Sequence, residues 1–577
     1  MRSSSIPDFD ERYEGLLRSW CDSLIALQVR GYGAPNDGGF LCKACTMLHG
    51  RADNAVFPLM YMYAKSREQK YYDAAMAAFR FQARLRQPDG SVINDGNMIW
   101  KGITVFSALN LWKTLHYFGA ALRPADRAEL ETAFLRLGGW VYDVIDTRFE
   151  TNINYYAAAA ECMCHLADYI GTDLYRTRAR ELLDYCMARF HEDGLFHGEI
   201  VPHDSRSSRG CYAVDMGYNL EETLLGLTET ALALGEEGTV RVLACHAVKM
   251  LDFLLPDGGV NNTFGCRNNK WTYYGSRTSD GCLRAFLLLS RFEPVLYEAA
   301  CRNADMLRRC TSRGELYGGL HYARLGQPPC VHHTFCHAAG LADALLALSQ
   351  ARRERMPLPY EREESFARYY PEIATWQLGM GNMLTTVTAN DFRGYTYAGG
   401  AAHASGGAIS MLYHRELGPV LAGSVYGYGL TEMTNMQVPV EGERAHRSLL
   451  PRWEYSRDGK TYTTCIAPDA DMAVEKGENS IRVTVWVSFV EAGEWRREDD
   501  DMAALFQYEL LPDGLRIETG VTKPKEGLAF ILPVAENTMR LETSAPIAAQ
   551  EKVFHLSGGL GADEYRFTET SLALRLY

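Results

Sequence analysis

The chain has no stretch approaching 18 consecutive apolar residues, so nothing in it reads as a membrane-crossing helix. Its opening, MRSSSIPDFDERYEGLL, lacks an apolar h-region and a small-residue cleavage site, so no secretory signal is read and a cytoplasmic location is expected. Positive charge is in short supply. Lys and Arg number 59 against 72 Asp and Glu, a net charge of −13, which excludes a dedicated nucleic-acid binder. A disulfide framework is also missing, since the 15 cysteines are odd in number and scattered through apolar stretches, as at Cys162, Cys164, Cys186, Cys245 and Cys301. The one C-x-x-C pair, Cys42 and Cys45, has no second pair at zinc-site spacing. It reads as two thiols in a loop, with no metal site expected. Serine elbow, P-loop, dinucleotide fingerprint and EF-hand loop are all absent, which leaves chemistry that side chains perform without a cofactor.

What is present is a long run of helices. Apolar periodicity near 3.6, punctuated by Gly, Pro and Asp, predicts twelve segments: 11–30, 54–68, 71–86, 102–118, 124–147, 153–170, 174–190, 217–235, 238–255, 279–291, 293–309 and 334–352. Connectors after even-numbered segments are short. Those after odd-numbered ones are long, at 31–53, 87–101, 191–216, 256–278 and 310–333, with a shorter turn at 148–152. In a stack of antiparallel helical hairpins all of these emerge on one face. The pattern describes an (α/α)6 toroid with one elaborated face, where repeat proteins place their binding sites. From about residue 375 short alternating runs take over, among them SIRVTVWVSF, AALFQYELL and GLRIETGV, and predict an antiparallel β-sandwich. The expected domains are a toroid over 1–355, a proline-bearing charged linker over 356–376 and a β-sandwich over 377–577.

The loop face gathers chemistry. It carries His49, His191, His197, His203, His321, His332 and His333, with Trp100, Trp271 and several tyrosines. Planar aromatics suit sugar faces, and His and Tyr suit proton transfer, although long loops also pack small cores of their own. The segment 257–282 is rich in amides and aromatics, and Lys270, Trp271, Tyr274 and Arg277 lie in it as binding candidates. Arg277, and Arg209 in the 191–216 connector, suit a carboxylate or sulfate. Asn152 and Asn154 open the sixth helix, where an amide either caps the helix or binds a substrate carboxylate beside the positive helix end. Glu199, His203 and Tyr218 share one passage. His332, His333 and His337 surround the start of the last helix without an H-E-x-x-H pattern.

This combination resembles the polysaccharide lyases of the heparinase II/III and alginate-lyase type. The residues that carry the resemblance are the Asn152/Asn154 pair, the D-G-x-x-x-G-E passage from Asp193 to Glu199 leading through His203 to Tyr218, and the glycine-rich 403–424. The Asn-Asn-His signature of those enzymes reads Asn-Ile-Asn-Tyr here. The resemblance implies β-elimination at a uronic acid, without a cofactor and, given the missing signal, on imported oligosaccharides. Asn152 or Asn154, with Arg277 or Arg209, would offset the carboxylate charge and stabilise the enolate-like transition state. Tyr218 or Tyr274 with His203 or His333 would move protons, and Tyr218 and His203 are the pair favoured. His332, Glu199, Trp100, Trp271 and Lys270 complete the expected substrate contacts.

Two other functions fit the same sequence. A glycoside hydrolase on this toroid needs two carboxylates across the cleft, and Asp37, Asp95, Glu199, Asp215 and Asp280 all fall on the loop face. A non-catalytic glycan-binding protein needs only the aromatics. Net charge does not argue against an acidic glycan, because acidic and basic residues nearly balance on the loop face and 256–278 carries Arg267, Lys270 and Arg277 against Asp257.

Overall fold

The computed structural model describes residues 9–31, 35–44, 46–94, 99–266, 283–320, 323, 328–393, 403–423, 426, 449–494, 497, 502–555 and 560–577. Among these, helices occupy the first part of the chain: α1 Phe9–Leu27, α2 Val56–Ser66, α3 Gln69–Leu85, α4 Thr104–Phe118, α5 Pro124–Val144, α6 Ile153–Ile170 and α7 Asp173–Met187. A composite α8 follows, made of Met216–Tyr218, a π-helical turn Asn219–Thr223, and Leu224–Ala233. The series ends with α9 Glu237–Met250, α10 Leu283–Leu289, α11 Val295–Arg309 and α12 Val331–Ala347.

The even helices touch in order, α2 to α4, α6, α8, α10 and α12, and α12 returns to α2. They close an inner ring, and each odd helix packs behind an even neighbour. Composition explains which ring a helix joins. α6 (INYYAAAAECMCHLADYI) is apolar and small-residue-rich all round and is buried along most of its length, whereas α7 buries only Ala179, Leu182, Leu183 and Cys186 and turns its charges outward. Local punctuation sets the ends. Gly171 stops α6 in the left-handed conformation (φ 79°), Thr172 accepts the Leu174 N–H as the N-cap of α7, and Pro124 opens α5. Gly226 lets α6 and α8 approach closely: a Cβ there would lie 2.6 Å from the Ala157 carbonyl.

The second part is built of antiparallel sheets. A five-stranded sheet runs in chain order through Ser365–Tyr370, Thr375–Met380, Met383–Thr388, Ala408–His414 and Gly418–Ala422. A six-stranded sheet has the order Asp471–Lys476, Ile481–Ser488, Ala503–Leu511, Gly514–Val521, Ser571–Leu576, Leu541–Thr543. Another has Val490–Glu491, Lys460–Thr463, Arg452–Arg457, Ala529–Ala535, Leu560–Phe567, Ala549–His555. Ala503–Leu511 alternates buried and half-buried residues, the sign of a sheet with one covered face. Met383–Thr388 and Ala408–His414 are buried throughout, because their sheet has the toroid on one side and the sandwich core on the other. Strands thus begin at Ser365, inside the segment read from sequence as a linker.

The sheets are fastened to the loop face. Asn261 Nδ2 donates to Thr386 Oγ1 at 2.7 Å, Thr263 Oγ1 to Ser410 Oγ at 2.8 Å, and the Tyr360 hydroxyl to the Leu254 carbonyl at 2.8 Å. Cys211, Ala213 and Cys266, from toroid connectors, are part of the sandwich core. The β region therefore walls one side of the face on which the inner helices begin.

Candidate active site

Because all inner helices start on the elaborated face, their N-terminal ends and the preceding connectors meet there. α6 supplies Asn152 and Asn154. Asn152 is the N-cap residue, with extended backbone, but its side chain makes no capping bond to the helix, and it is half-buried. Asn154 is buried, and its amide donates to the Glu222 carboxylate. Glu222 sits in the π-helical turn of α8 that follows Tyr218. A π-turn inserts one extra residue per turn, which re-aims side chains and is common at functional sites. Here it brings Glu221 and Glu222 to the ring axis. The turn is anchored at its start by Asp215, which accepts the Tyr218 N–H at 3.2 Å and the Asn262 amide at 2.9 Å, and Asn262 in turn accepts the Met216 N–H. Tyr218 is buried at the head of this helix.

The 191–216 connector lies against the start of α6. The Ile153 N–H donates to the Gly198 carbonyl, and Glu199 is buried next in line. His203, expected as acid or base, is held at both ring nitrogens: Nε2 donates to the Thr151 carbonyl at 2.6 Å and Nδ1 accepts from the Tyr185 hydroxyl at 2.7 Å. Burial lowers its affinity for a second proton. The ring braces the entrance to α6. Arg209 lies at the contact between this connector and the sandwich. Its Nε donates to the Pro468 carbonyl at 2.7 Å, and its Nη2 donates to Ala470, so it pins the connector to the sandwich.

Trp100 stands at the rim. Its indole N–H donates to the Tyr155 hydroxyl at 2.8 Å, and its ring stacks on Phe149 with centroids 6.0 Å apart. Tyr155, one residue after Asn154, is half-buried beside it. This pair and Asn152 form the described part of the face that offers both an aromatic surface and an amide. Across the ring, His332 and His333 lie buried in the first turn of α12, and His337 below them donates through Nδ1 to the His333 carbonyl at 2.9 Å. The other nitrogen of His337 lies 4.0 Å from Glu221. Lys270, Trp271, Tyr274 and Arg277 lie outside the described residues, as do Asp95 and Asp280.

Beneath these groups a pocket on the ring axis is lined by Phe57, Phe106, Lys113, Glu161, Glu221, Glu222 and Asp343. Lys113 Nζ lies 2.5 Å from Asp343 and 3.4 Å from Glu161, and Arg284 Nη1 lies 2.7 Å from Asp343. Burial alone would push the Glu161 carboxyl up, but Lys113 and His165 outweigh it and hold it below the ordinary glutamate value. The floor of the cleft is therefore a paired ionic network, not an apolar plug. Sequence reasoning passed over Lys113, Glu161 and Asp343, which are charges on the stripes of inner helices. Their signal was a charge at a core-facing position in three helices at once.

Comparison with known proteins gives the following. Residues 17–362 match the family model of the ulvan lyase N-terminal domain, and residues 367–559 that of the ulvan lyase C-terminal domain. A broad-specificity ulvan lyase from Formosa agariphila is 32% identical over 547 residues, covering 92% of this chain and 84% of its own length. Among solved structures, the heparan sulfate lyase HepC from Pedobacter heparinus aligns over 100% of this chain and 84% of its own, at 10% identity and a TM-score of 0.47. The GH76A alpha-1,6-mannanase from Salegentibacter sp. HEL1_6 aligns over 58% of this chain and 99% of its own, at 12% identity and a TM-score of 0.42.

Proposed function

The chain belongs to the ulvan lyase family, and on that premise we propose that it is a polysaccharide lyase that opens ulvan by β-elimination at a uronic acid. The observation that carries this reading is similarity along the whole architecture, with both family domains matched in order and one relative matched over 547 residues.

The residues support particular roles. A uronate C5 proton is poorly acidic while the adjacent carboxylate keeps its charge. Asn152, at the positive end of the α6 helix, hydrogen-bonds that carboxylate and offsets the charge that builds in the enolate-like transition state. Asn154, tied to Glu222, fixes the start of α6 against the turn that carries Tyr218. Tyr218 takes the C5 proton; the C4–O bond breaks, a C4=C5 double bond forms, and the leaving glycosidic oxygen receives a proton from Tyr218 or His333. Trp100 and Tyr155 provide the platform on which a sugar ring lies. His203 and Arg209 position the connector without meeting substrate. No step calls for a cofactor.

The test is incubation of the full chain with ulvan while ultraviolet absorbance of the unsaturated uronate is followed. Wild type should produce it, and Tyr218→Phe should lose at least about a hundredfold in kcat, in keeping with removal of a general acid–base. Asn152→Ala should lose a similar factor, as for one oxyanion donor. Full activity in both variants would overturn the assignment. Activity lost instead in Glu199→Gln or Asp215→Asn, with saturated products, would favour a hydrolase.

A further inference from the structure

The sequence offers Cys42 and Cys45 as an isolated pair, but the fold brings other donors to Cys42. Its Sγ lies 3.6 Å from the Sγ of Cys330, and Cys330 Sγ lies 3.9 Å from Nε2 of His49. The three ligand atoms all fall within 4.8 Å of one another, and the three side chains are at most 1% exposed. We propose that Cys42, His49 and Cys330 bind a structural zinc ion.

Geometry supports this first. Two sulfurs about 2.3 Å from a tetrahedral zinc must stand about 3.7 Å apart, and a sulfur and an imidazole nitrogen slightly closer. The sulfur–sulfur edge of 3.6 Å matches that figure, and the sulfur–nitrogen edge of 3.9 Å has to shorten by only a few tenths of an ångström. The donor set supports it as well, because thiolate and imidazole donors in a buried site select zinc over the harder magnesium and calcium ions, with a water molecule completing the tetrahedron. Two local features prepare the ligands. Cys42 and His49 flank a tight turn in which the Thr46 N–H donates to the Cys42 carbonyl and the Cys42 N–H to the Met47 carbonyl, closed by a Leu41–Leu48 bridge. Cys330 is the N-cap residue of the 17-residue α12, where the positive helix end favours a thiolate. Cys45 lies outside the described residues and is not counted among the ligands.

The position gives the ion a purpose. Cys42 and His49 belong to the connector between α1 and α2, and Cys330 opens α12, so the donors come from the first and last hairpins. The metal would staple the seam where the inner ring closes between α12 and α2. It would also fix the first turn of α12, which carries His332 and His333; the His332 ring centroid lies 5.4 Å from that of His49. The site is argued from Cys42, His49 and Cys330 alone and its test reads metal content, so it stands or falls independently of the lyase reading.

The experiment is elemental analysis of the full chain, expressed with zinc in the medium and purified under reducing conditions without chelator. Close to one zinc per chain is expected. Cys330→Ser and His49→Ala should each lose it, while Cys330→His, which exchanges one zinc ligand for another, should keep it. Cobalt taken up in place of zinc should show the thiolate charge-transfer band and the intense visible bands of a tetrahedral site. A strong chelator should lower the melting temperature of wild type but not of Cys330→Ser. Metal-free wild type after zinc supplementation, metal content unchanged in Cys330→Ser and His49→Ala, or a Cys42–Cys330 disulfide found by mass spectrometry in the reduced preparation would each overturn the proposal.

Discussion

Replacing Lys113 by Met tests whether the charged floor of the toroid is a matched network. Lys113 is 8% exposed, with Asp343 at 2.5 Å and Glu161 at 3.4 Å. Met has similar length, so little cavity forms, and the effect isolates the loss of charge. Among the described residues, the two buried carboxylates would then be left with the cations Arg284 and His165. Removing one member of a buried pair costs about 3–5 kcal/mol. With an unfolding entropy of about 2.1 cal/mol/K per residue over roughly 340 toroid residues, this lowers Tm by about 4–7 °C at pH 7. The pH dependence follows from the sign of the shift. In wild type the folded Glu161 has a lowered pKa, so its contribution is complete above the ordinary glutamate value and disappears as pH falls through the folded value. In Lys113→Met burial dominates and the folded carboxyl binds its proton more tightly than the unfolded one. The gap between the two proteins should therefore narrow from pH 7 towards pH 5. Thermal melts followed by circular dichroism measure it. A shift of less than about 1 °C at pH 7, or a gap constant with pH, would refute the network as drawn.

Two further changes test the framework around the site. Gly226→Val places a branched side chain where a Cβ already meets the Ala157 backbone at 2.6 Å; α6 and α8 must separate, and we expect about 1–3 kcal/mol of destabilisation with a fall in kcat, read by melts and the ulvan assay. Asp193 is raised to about 7 by burial, with the neighbouring Glu372 adding to the shift, so the fold holds a proton there that the unfolded chain releases, and stability falls as pH rises from about 4 to 7. Asp193→Asn should thus stabilise the fold at pH 8 by on the order of 1 kcal/mol, after solvent access is allowed for, and change it little at pH 4, as read from thermal melts; equal effects at both would contradict the assignment.

The helical ring was legible because an inner helix such as α6 announces both its period and its ends, from Asn152 to Gly171. The strands at Ser365–Tyr370 and Thr375–Met380 were hidden by charge and proline nearby: Arg368, which suggested a solvated linker, pairs with Asp252 of the toroid at 3.1 Å. The run YRFTETSLALRLY looked continuous but is two strands, Leu560–Phe567 and Ser571–Leu576, because its turn uses Thr and Glu without Gly, Pro or Asn. In the site, residue type was readable and partnership was not. Arg209 has the chemistry to bind an acidic sugar, yet its guanidinium is taken by carbonyls some 260 residues away. His203 has the chemistry of a base, yet Thr151 and Tyr185 occupy it. Asn152, Asn154 and Tyr218 stand at helix starts, where local sequence determines position. Lys113, Asp343 and the Cys42–Cys330 approach depend on ring closure, which no local pattern encodes.

Elimination, and not hydrolysis, is the step by which this lyase breaks its glycan. Mass spectrometry of the oligosaccharides released from ulvan tests it most directly, because elimination leaves each new non-reducing end one water lighter than hydrolysis does. Unsaturated ends are expected throughout the product series from wild type, and almost none from Tyr218→Phe. Products carrying the full mass of water at the new ends would contradict elimination.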